Sequence, residues 1–156
     1  MVIQYYPSPL GEILLGAETD GLVGVWFPGQ AHFPALSQAV PGKSPSLNEA
    51  INWLDLYFSG EIPHYLPPIS LNGTDFQLRV WKALSDISYG QVVTYGDLAK
   101  RLGVRSAQAV GGAVGRNPIS LILPCHRVVG SKGQLTGYAG GLDRKKWLLD
   151  WERKHC

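Results

Sequence analysis

The residues best equipped for chemistry are Pro124-Cys-His-Arg-Val-Val129, where a thiol stands directly beside an imidazole. A free cysteine titrates at about 8.5, so only roughly a few per cent is thiolate at neutral pH. A base or relay next to Cys125 would raise that fraction at the moment of attack, and the pair reads as an activated nucleophile. A lone cysteine is more often a small apolar filler. Here an arginine, a histidine and a proline crowd the same few positions, which packing alone does not require. The motif follows the apolar run Ile119-Ser-Leu-Ile-Leu123 and leads into Gly130-Ser-Lys-Gly133, so Cys125 is expected at the end of a buried strand.

The elements that must position this motif begin at Gly73. Thr74-Asp-Phe-Gln77 is a capping-box pattern opening a helix, with Phe76, Val80, Trp81 and Leu84 as its apolar stripe and an end near Ser88-Tyr-Gly90. Thr94 can cap a second helix, Tyr95 to Leu102, stopped by Gly103. Ser106 can cap a third, Ala107 to Val114, ended by Gly115 and Asn117-Pro118. Two short helices joined by Gly103-Val-Arg105 form a helix-turn-helix pattern. The second carries Ala107, Ala109, Gly111, Gly112 and Ala113, small residues that allow close approach to a groove or, equally, to a neighbouring helix. Leu142 to Lys154 reads as a final helix with Trp147, Leu148 and Trp151 on its apolar side.

The first half has a different texture. Gly11-Glu-Ile-Leu-Leu-Gly16 and Leu22-Val-Gly-Val-Trp-Phe27 are strand-like and separated by the turn Glu18-Thr-Asp-Gly21, with Gln4-Tyr-Tyr6 as a third, preceding strand. A proline-rich stretch runs from Pro28 to Pro45. Ser46 is then expected to cap a helix from Leu47 to Phe58 whose face is Leu47, Ile51, Leu54 and Phe58. Pro63, Pro67 and Pro68 mark an extended connection. The fold class is therefore α+β: a small antiparallel sheet with a helix over residues 1–72, and a mostly helical, winged helix-turn-helix-like part over 73–156.

Charge separates the same two parts. Residues 1–73 hold one basic residue against six acidic ones, a balance of −5, whereas residues 74–156 hold thirteen against six, a balance of +7. The overall charge of +2 conceals this division, and basic asymmetry of this kind points toward nucleic acid. A lysine-rich solvated surface explains composition alone equally well. With 45% hydrophobic residues and no apolar run approaching the roughly 20 residues of a membrane span, the 156-residue chain reads as globular. The first residues show no basic region followed by an apolar core, so a reducing, cytoplasmic location is expected. Of the two cysteines, Cys125 and Cys156, the terminal one is read as incidental.

A cysteine beside a helix-turn-helix suggests thiol chemistry on DNA. The motifs Gly73-Thr-Asp-Phe-Gln77, Val80-Trp-Lys-Ala-Leu84, Tyr89-Gly90, Thr94-Tyr95-Gly96, Ala109-Val-Gly-Gly112, Asn117-Pro118, Pro124-Cys-His-Arg-Val128, Gly137-Tyr-Ala-Gly-Gly-Leu142, Trp147-Leu-Leu149 and Glu152 resemble those of the O6-alkylguanine-DNA alkyltransferases. The resemblance covers essentially all of residues 73–152, and the N-terminal part matches in outline, as a ribonuclease-H-like unit. It implies an irreversible, single-turnover transfer of the alkyl group to Cys125, with O4-alkylthymine as a further substrate class. It also implies a relay from Cys125 through water to His126 and Glu152, and a Tyr95 hydroxyl donating on the N3 side of the base. The Ala139 backbone NH would face O6, and the Cys125 and Val128 carbonyls would accept from the exocyclic amine. Asn117 would hold the turn beside the active strand, and Tyr138 would wall the pocket.

The same resemblance places Thr94, Ser106, Ala107, Gln108, Ala109, Gly112, Arg116 and Arg127 against DNA, with the second helix of the pair in the minor groove and the lesion flipped out of the stack. Three departures stand out: Gln108 where most members carry arginine, Ala139 where serine is frequent, and Ser120 where some have proline. Glutamine can hydrogen-bond an orphaned base but brings no cation to the groove. Residues 1–73 hold no cysteine and only His32 and His64, so no metal or other cofactor is expected. The expected partner is lesion-bearing duplex DNA, the expected state a monomer. Two competing readings remain: a cysteine hydrolase, which leaves the basic helix-turn-helix unexplained, and a non-catalytic lesion-sensing or regulatory DNA-binding protein.

Overall fold

The computed structural model describes residues 1–156. The chain opens as an antiparallel meander of β1 (Val2–Ser8), β2 (Gly11–Glu18) and β3 (Gly21–Trp26). Residues on β2 alternate between two apolar surfaces. Ile13, Leu15 and Ala17 join the main core, while Leu14 packs with Ile3 and Trp26 in a small cluster on the other face. That second cluster is covered by Phe33, Leu36 and Ala39, so the proline-rich stretch is a lid over the sheet. It also contributes β4 (Val40–Pro41), a two-residue strand parallel to β1 that the sequence pattern did not reveal. The sheet order is β3-β2-β1-β4. A proline, which lacks an N–H, is tolerated in β4 because that strand is an edge.

Helix α1 (Pro45–Phe58) lies across the sheet. Its cap is Ser44, not Ser46: the Ser44 hydroxyl accepts from Leu47 N at 3.2 Å, and Pro45 takes the first helical position, where its fixed φ fits and its missing N–H costs nothing. Ser46 is buried inside the first turn instead. The buried face is Leu47, Ala50, Trp53, Leu54 and Tyr57, rotated from the expected one, with Ile51 and Phe58 half-buried.

The C-terminal helices follow their caps closely. Helix α2 (Asp75–Leu84) starts at the Thr74–Gln77 capping box, a motif that contributes about 1 kcal/mol. It ends at Leu84, before the expected Ser88-Tyr-Gly90 stop, and turns carry the chain onward through Gly90 at φ +79°. Helix α3 (Tyr95–Leu102) is capped by Thr94 and closed by Gly103 at φ +69°, and α4 (Ala107–Gly115) is capped by Ser106. Trp81 of α2 donates its indole N–H to the Ala113 carbonyl at 2.8 Å, fixing α4 from behind. A short parallel pair, β5 (Val93–Thr94) with β6 (Val128–Val129), ties the start of α3 to the segment after Cys125. Helix α5 (Leu142–His155) ends the chain.

The run Ile119–Leu123 is not a strand. Ile119 makes a single bridge to Val25, Leu121 adopts φ +72°, and Leu123 N returns to the Ile119 carbonyl at 3.0 Å. Asn117 causes the bend: its amide nitrogen donates to the Ile119 and Leu123 carbonyls at 3.3 and 2.8 Å, and its oxygen accepts from Ile119 N at 3.0 Å. An apolar run alone cannot distinguish a buried strand from a buried turn. One cluster of 29 buried residues spans the whole chain, from Ile13 and Tyr57 to Cys125 and Leu148. No helix is long and apolar enough to cross a membrane.

Candidate active site

Cys125 opens a 3-10 turn, Cys125–Arg127, at the end of the Asn117-braced bend. Its backbone N–H donates to the Leu123 carbonyl at 2.8 Å, and its carbonyl accepts from Val128 N. The residue is only 5% exposed. Burial pushes its thiol pKa up, against a hydrogen bond from Asn117 and the nearby Lys145 ammonium, which pull it down. At rest the site holds a thiol, and a nucleophilic role would require a group that takes its proton.

A candidate is next in the chain. His126 is fully buried, and its Nε2 lies 2.6 Å from Glu152 Oε2 on α5. Arg127 grips the same carboxylate from the side, with Nε 2.7 Å from Oε1 and Nη2 3.1 Å from Oε2. Tyr57 of α1 donates its hydroxyl to Oε2 at 2.7 Å, and Gly90 N approaches Oε1 at 3.4 Å. Burial alone would raise the Glu152 pKa, but His126 and Arg127 together hold it far below the ordinary carboxylate range. The carboxylate is ionised and can only accept. His126 is kept neutral by burial, with the Arg127 and Lys145 charges acting in the same direction against Glu152. Its single proton therefore sits on Nε2, facing Glu152, and the buried Nδ1 lone pair has no protein partner. A neutral imidazole with a bare nitrogen and an anion behind it is a competent proton acceptor.

The remaining expected groups gather around the thiol. Tyr95 is the first residue of α3, brought close by the β5–β6 pair, and its hydroxyl donates to the Thr136 carbonyl at 3.2 Å. Tyr138 is buried against Phe27 with Ser120 beside it. Burial raises both phenol pKa values, so both tyrosines are protonated at neutral pH. Ala139 is half-buried; its carbonyl accepts from Ala31 N at 3.3 Å, so the first half of the chain helps position the loop. Arg144 reinforces this, donating to the carbonyls of Leu10 and Gly140 at 3.1 and 2.9 Å while its guanidinium covers the Phe27 ring. The Val128 carbonyl already accepts from Lys145 Nζ at 2.6 Å, leaving one lone pair for any ligand.

On α4, Val110, Ala113 and Val114 face the core, while Ser106, Gln108, Ala109, Gly112 and Arg116 are exposed and Ala107 is half-buried. A Cβ built on Gly112 would meet nothing within 4 Å, so packing inside this chain does not demand a glycine there. Thr94 is half-buried and its hydroxyl caps α3 through Asp97 N at 2.9 Å. Arg127 corrects the sequence reading. It is 7% exposed, bound to Glu152, and donates from Nη1 to the Ile87 carbonyl at 2.6 Å, so its guanidinium faces inward and not toward DNA. A local sequence cannot separate the two fates, because the Glu152 partner is 25 residues away.

Two residues escaped the sequence reading altogether. Lys145 is fully buried, with Nζ bonded to Val128 and Thr136 carbonyls at 2.6 and 2.8 Å. Its signal was present: Lys145, Leu148, Leu149 and Glu152 recur at helical spacing and form the buried face of α5, not the expected Trp147-Leu148-Trp151 set. Tyr57 occupies an equivalent place on α1. His32 and His64 are exposed, and no three His, Cys, Asp or Glu side chains come together as a metal-binding group.

Comparison with known proteins gives a uniform result. The family described as 6-O-methylguanine DNA methyltransferase, DNA binding domain, matches residues 75–154, and the ribonuclease-like domain of the same enzymes matches residues 1–66. The chain is 42% identical over 150 residues to the methylated-DNA–protein-cysteine methyltransferase of Mycobacterium bovis, covering 96% of this chain and 90% of that one. It is 41% identical over 153 residues to the methyltransferase of the same name from Methanosarcina acetivorans, covering 97% and 98%. The crystal structure of Mycobacterium tuberculosis OGT in complex with DNA superposes with a TM-score of 0.92 at 38% identity, covering 100% of this chain and 95% of the other.

Proposed function

The chain belongs to the 6-O-methylguanine DNA methyltransferase family, and on that premise we propose that Cys125 is the residue that takes the alkyl group. Its activity is DNA repair by transfer of an alkyl group to a protein cysteine. The observation that carries the assignment is the arrangement of a buried thiol beside a neutral imidazole whose other nitrogen is held by an ionised carboxylate. The substrate we assign is O6-alkylguanine in duplex DNA, with O4-alkylthymine as a secondary one.

The reaction is displacement at a saturated carbon. The thiol proton passes, through water, to His126 Nδ1, and Glu152 stabilises the imidazolium that forms. The sulfur forms a bond to the alkyl carbon as the carbon–O6 bond breaks, and guanine departs with the electron pair. Tyr95 exchanges its Thr136 contact for the N3 side of the base and stabilises that developing charge; the departing guanine anion then takes one proton from water, and the His126 imidazolium returns its proton to water. Lys145 keeps hold of the Thr136 carbonyl during this exchange and lends positive charge to the thiolate. The Ala139 N–H faces O6, the Cys125 and Val128 carbonyls take the exocyclic amine, and Tyr138 walls the pocket. The thioether is stable, so each molecule acts once.

The lesion must leave the duplex to reach a buried thiol. The outward face of α4, with Gln108 and the unobstructed Gly112, suits insertion into the minor groove, and Ser106, Ala107, Ala109, Arg116 and Thr94 line the approach. We divide the chain into a supporting part, residues 1–72, and a DNA-binding, alkyl-accepting part, residues 73–156, acting as a monomer in the cytoplasm. The test is incubation with duplex DNA carrying labelled O6-methylguanine. Label on the peptide containing Cys125 supports the assignment, and label on Cys156 overturns it. A lesion sensor would bind this DNA and take no label.

A further inference from the structure

We propose that Tyr57, on α1 of the supporting part, is a positioning residue that sets the proton affinity of His126 through Glu152. This rests on the reading of His126 as the group that accepts the thiol proton. Tyr57 is fully buried, and its hydroxyl donates to Glu152 Oε2 at 2.7 Å, the same oxygen that His126 Nε2 approaches at 2.6 Å. The ring is fixed on two sides, stacked on Trp53 with centroids 5.3 Å apart and edge-on to Tyr89 at 5.9 Å. Its backbone is fixed too, since Trp151 Nε1 donates to the Tyr57 carbonyl at 3.1 Å. A side chain held this firmly delivers its hydroxyl to one place.

Burial and the neighbouring Glu152 charge keep the Tyr57 phenol protonated, so it is a donor throughout the working pH range. The charged and titratable groups facing this cluster come from every element around it. They are Cys125, His126 and Arg127 from the 3-10 turn, Tyr89 from the segment after α2, Arg144, Lys145 and Glu152 from α5 with Cys156 at its end, and Tyr138 from the preceding loop. Among the first 72 residues, Tyr57 alone bonds Glu152. A donor on Oε2 draws negative charge away from the oxygen that holds the imidazole. Removing it leaves a more basic carboxylate, a stronger pull on Nε2–H, and a His126 that protonates at higher pH. Protonated His126 cannot take the thiol proton. The first part of the chain thus keeps the base free at neutral pH.

The experiment is single-turnover methyl transfer from duplex DNA carrying O6-methylguanine across pH 5 to 8, alongside NMR titration of the labelled His126 imidazole, for the wild type, Tyr57→Phe and Trp53→Phe. Tyr57→Phe keeps the ring and loses only the donor. Its acid limb and its His126 titration are expected to move up together by about half a unit to one unit. Trp53→Phe disturbs the packing of the same ring but keeps the hydroxyl, so it should lower thermal stability without moving either curve. Equal movement in both variants, or none in Tyr57→Phe, overturns the proposal. If the wild-type acid limb persists in His126→Gln, the reading of His126 as base fails instead. The NMR titration still decides the Tyr57 coupling in that case.

Discussion

Lys145 Nζ lies 2.6 Å from the carbonyl oxygen of Val128, so a buried ammonium on α5 braces the strand that follows the nucleophile. Replacing it by methionine leaves the Val128 carbonyl without its donor, leaves the Thr136 carbonyl with the Tyr95 hydroxyl alone, and removes a cation from beside Cys125. Each orphaned buried acceptor costs about 1–3 kcal/mol, so denaturant unfolding should show a loss of that order. Methyl transfer at pH 7 should slow by about tenfold, because the Lys145 charge that favours the thiolate is gone.

The same ammonium gives a pH signature with a definite sign. Burial lowers the Lys145 pKa from 10.5 to about 8, against the raising influence of Cys125. The folded state therefore binds this proton less tightly than the unfolded chain does. Its contribution is unfavourable below pH 8, and the penalty is relieved as pH rises from 8 toward 10.5. The stability difference between wild type and Lys145→Met should change across that window and stay flat between pH 6 and 7. Paired urea titrations at pH 6, 7, 9 and 10 test this.

Glu152→Gln should destabilise the fold by about 3–5 kcal/mol at pH 7, because it leaves the buried Arg127 guanidinium without its counter-charge. The Glu152 pKa is depressed below its ordinary 4.5, so its contribution is complete above that pH and is lost as pH falls through the lower folded-state value. The gap between wild type and variant should narrow on acidification below pH 4.5. A gap that stayed constant to pH 3 would show that the ion pair contributes no proton-linked stability.

Cys125→Ala should abolish methyl transfer while retaining affinity for lesion-bearing duplex. Filter binding and mass spectrometry on the same preparation separate the two. Binding should weaken steeply with salt, because exposed cations such as Arg105 and Arg116 release counterions from DNA. A strong preference for one undamaged sequence would instead favour a regulator.

Tyr95→Phe and Gln108→Ala should split transfer from binding. In the proposed mechanism Tyr95 acts on charge that builds only as guanine leaves, so its loss should lower the rate far more than the affinity. Gln108 is exposed on α4 and has no hydrogen bond to the groups around Cys125, so its loss should weaken flipping from duplex and spare reaction with free O6-alkylguanine. Gln108→Arg should speed duplex repair by supplying a cation to the groove. Single-turnover kinetics on duplex and on free base distinguish these outcomes, and equal slowing of both by Gln108→Ala would misplace α4.

The caps of the C-terminal helices and the Gly103 stop were legible in the sequence, whereas the α1 cap, the end of α2 and the buried faces of α1 and α5 were not. Thr74, Thr94, Ser106 and Gly103 mark helix boundaries through hydrogen bonds and backbone preferences that act within three or four residues. The Cys125–His126 pair and the small exposed residues of α4 were visible for the same reason. Contacts between distant segments were not. Arg127 carries no local mark that it will meet Glu152, the Ile119–Leu123 run hides a bend held by Asn117, and Tyr57 lies 95 residues from the carboxylate it binds. Residue types and short-range hydrogen bonds are encoded locally, whereas the charge state of a buried nucleophile depends on which groups close packing brings beside it. The sequence by itself singled out Cys125 and its neighbour; the tertiary structure decided which way Arg127 faces, which nitrogen of His126 is free, and that Lys145 and Tyr57 bond the groups around them.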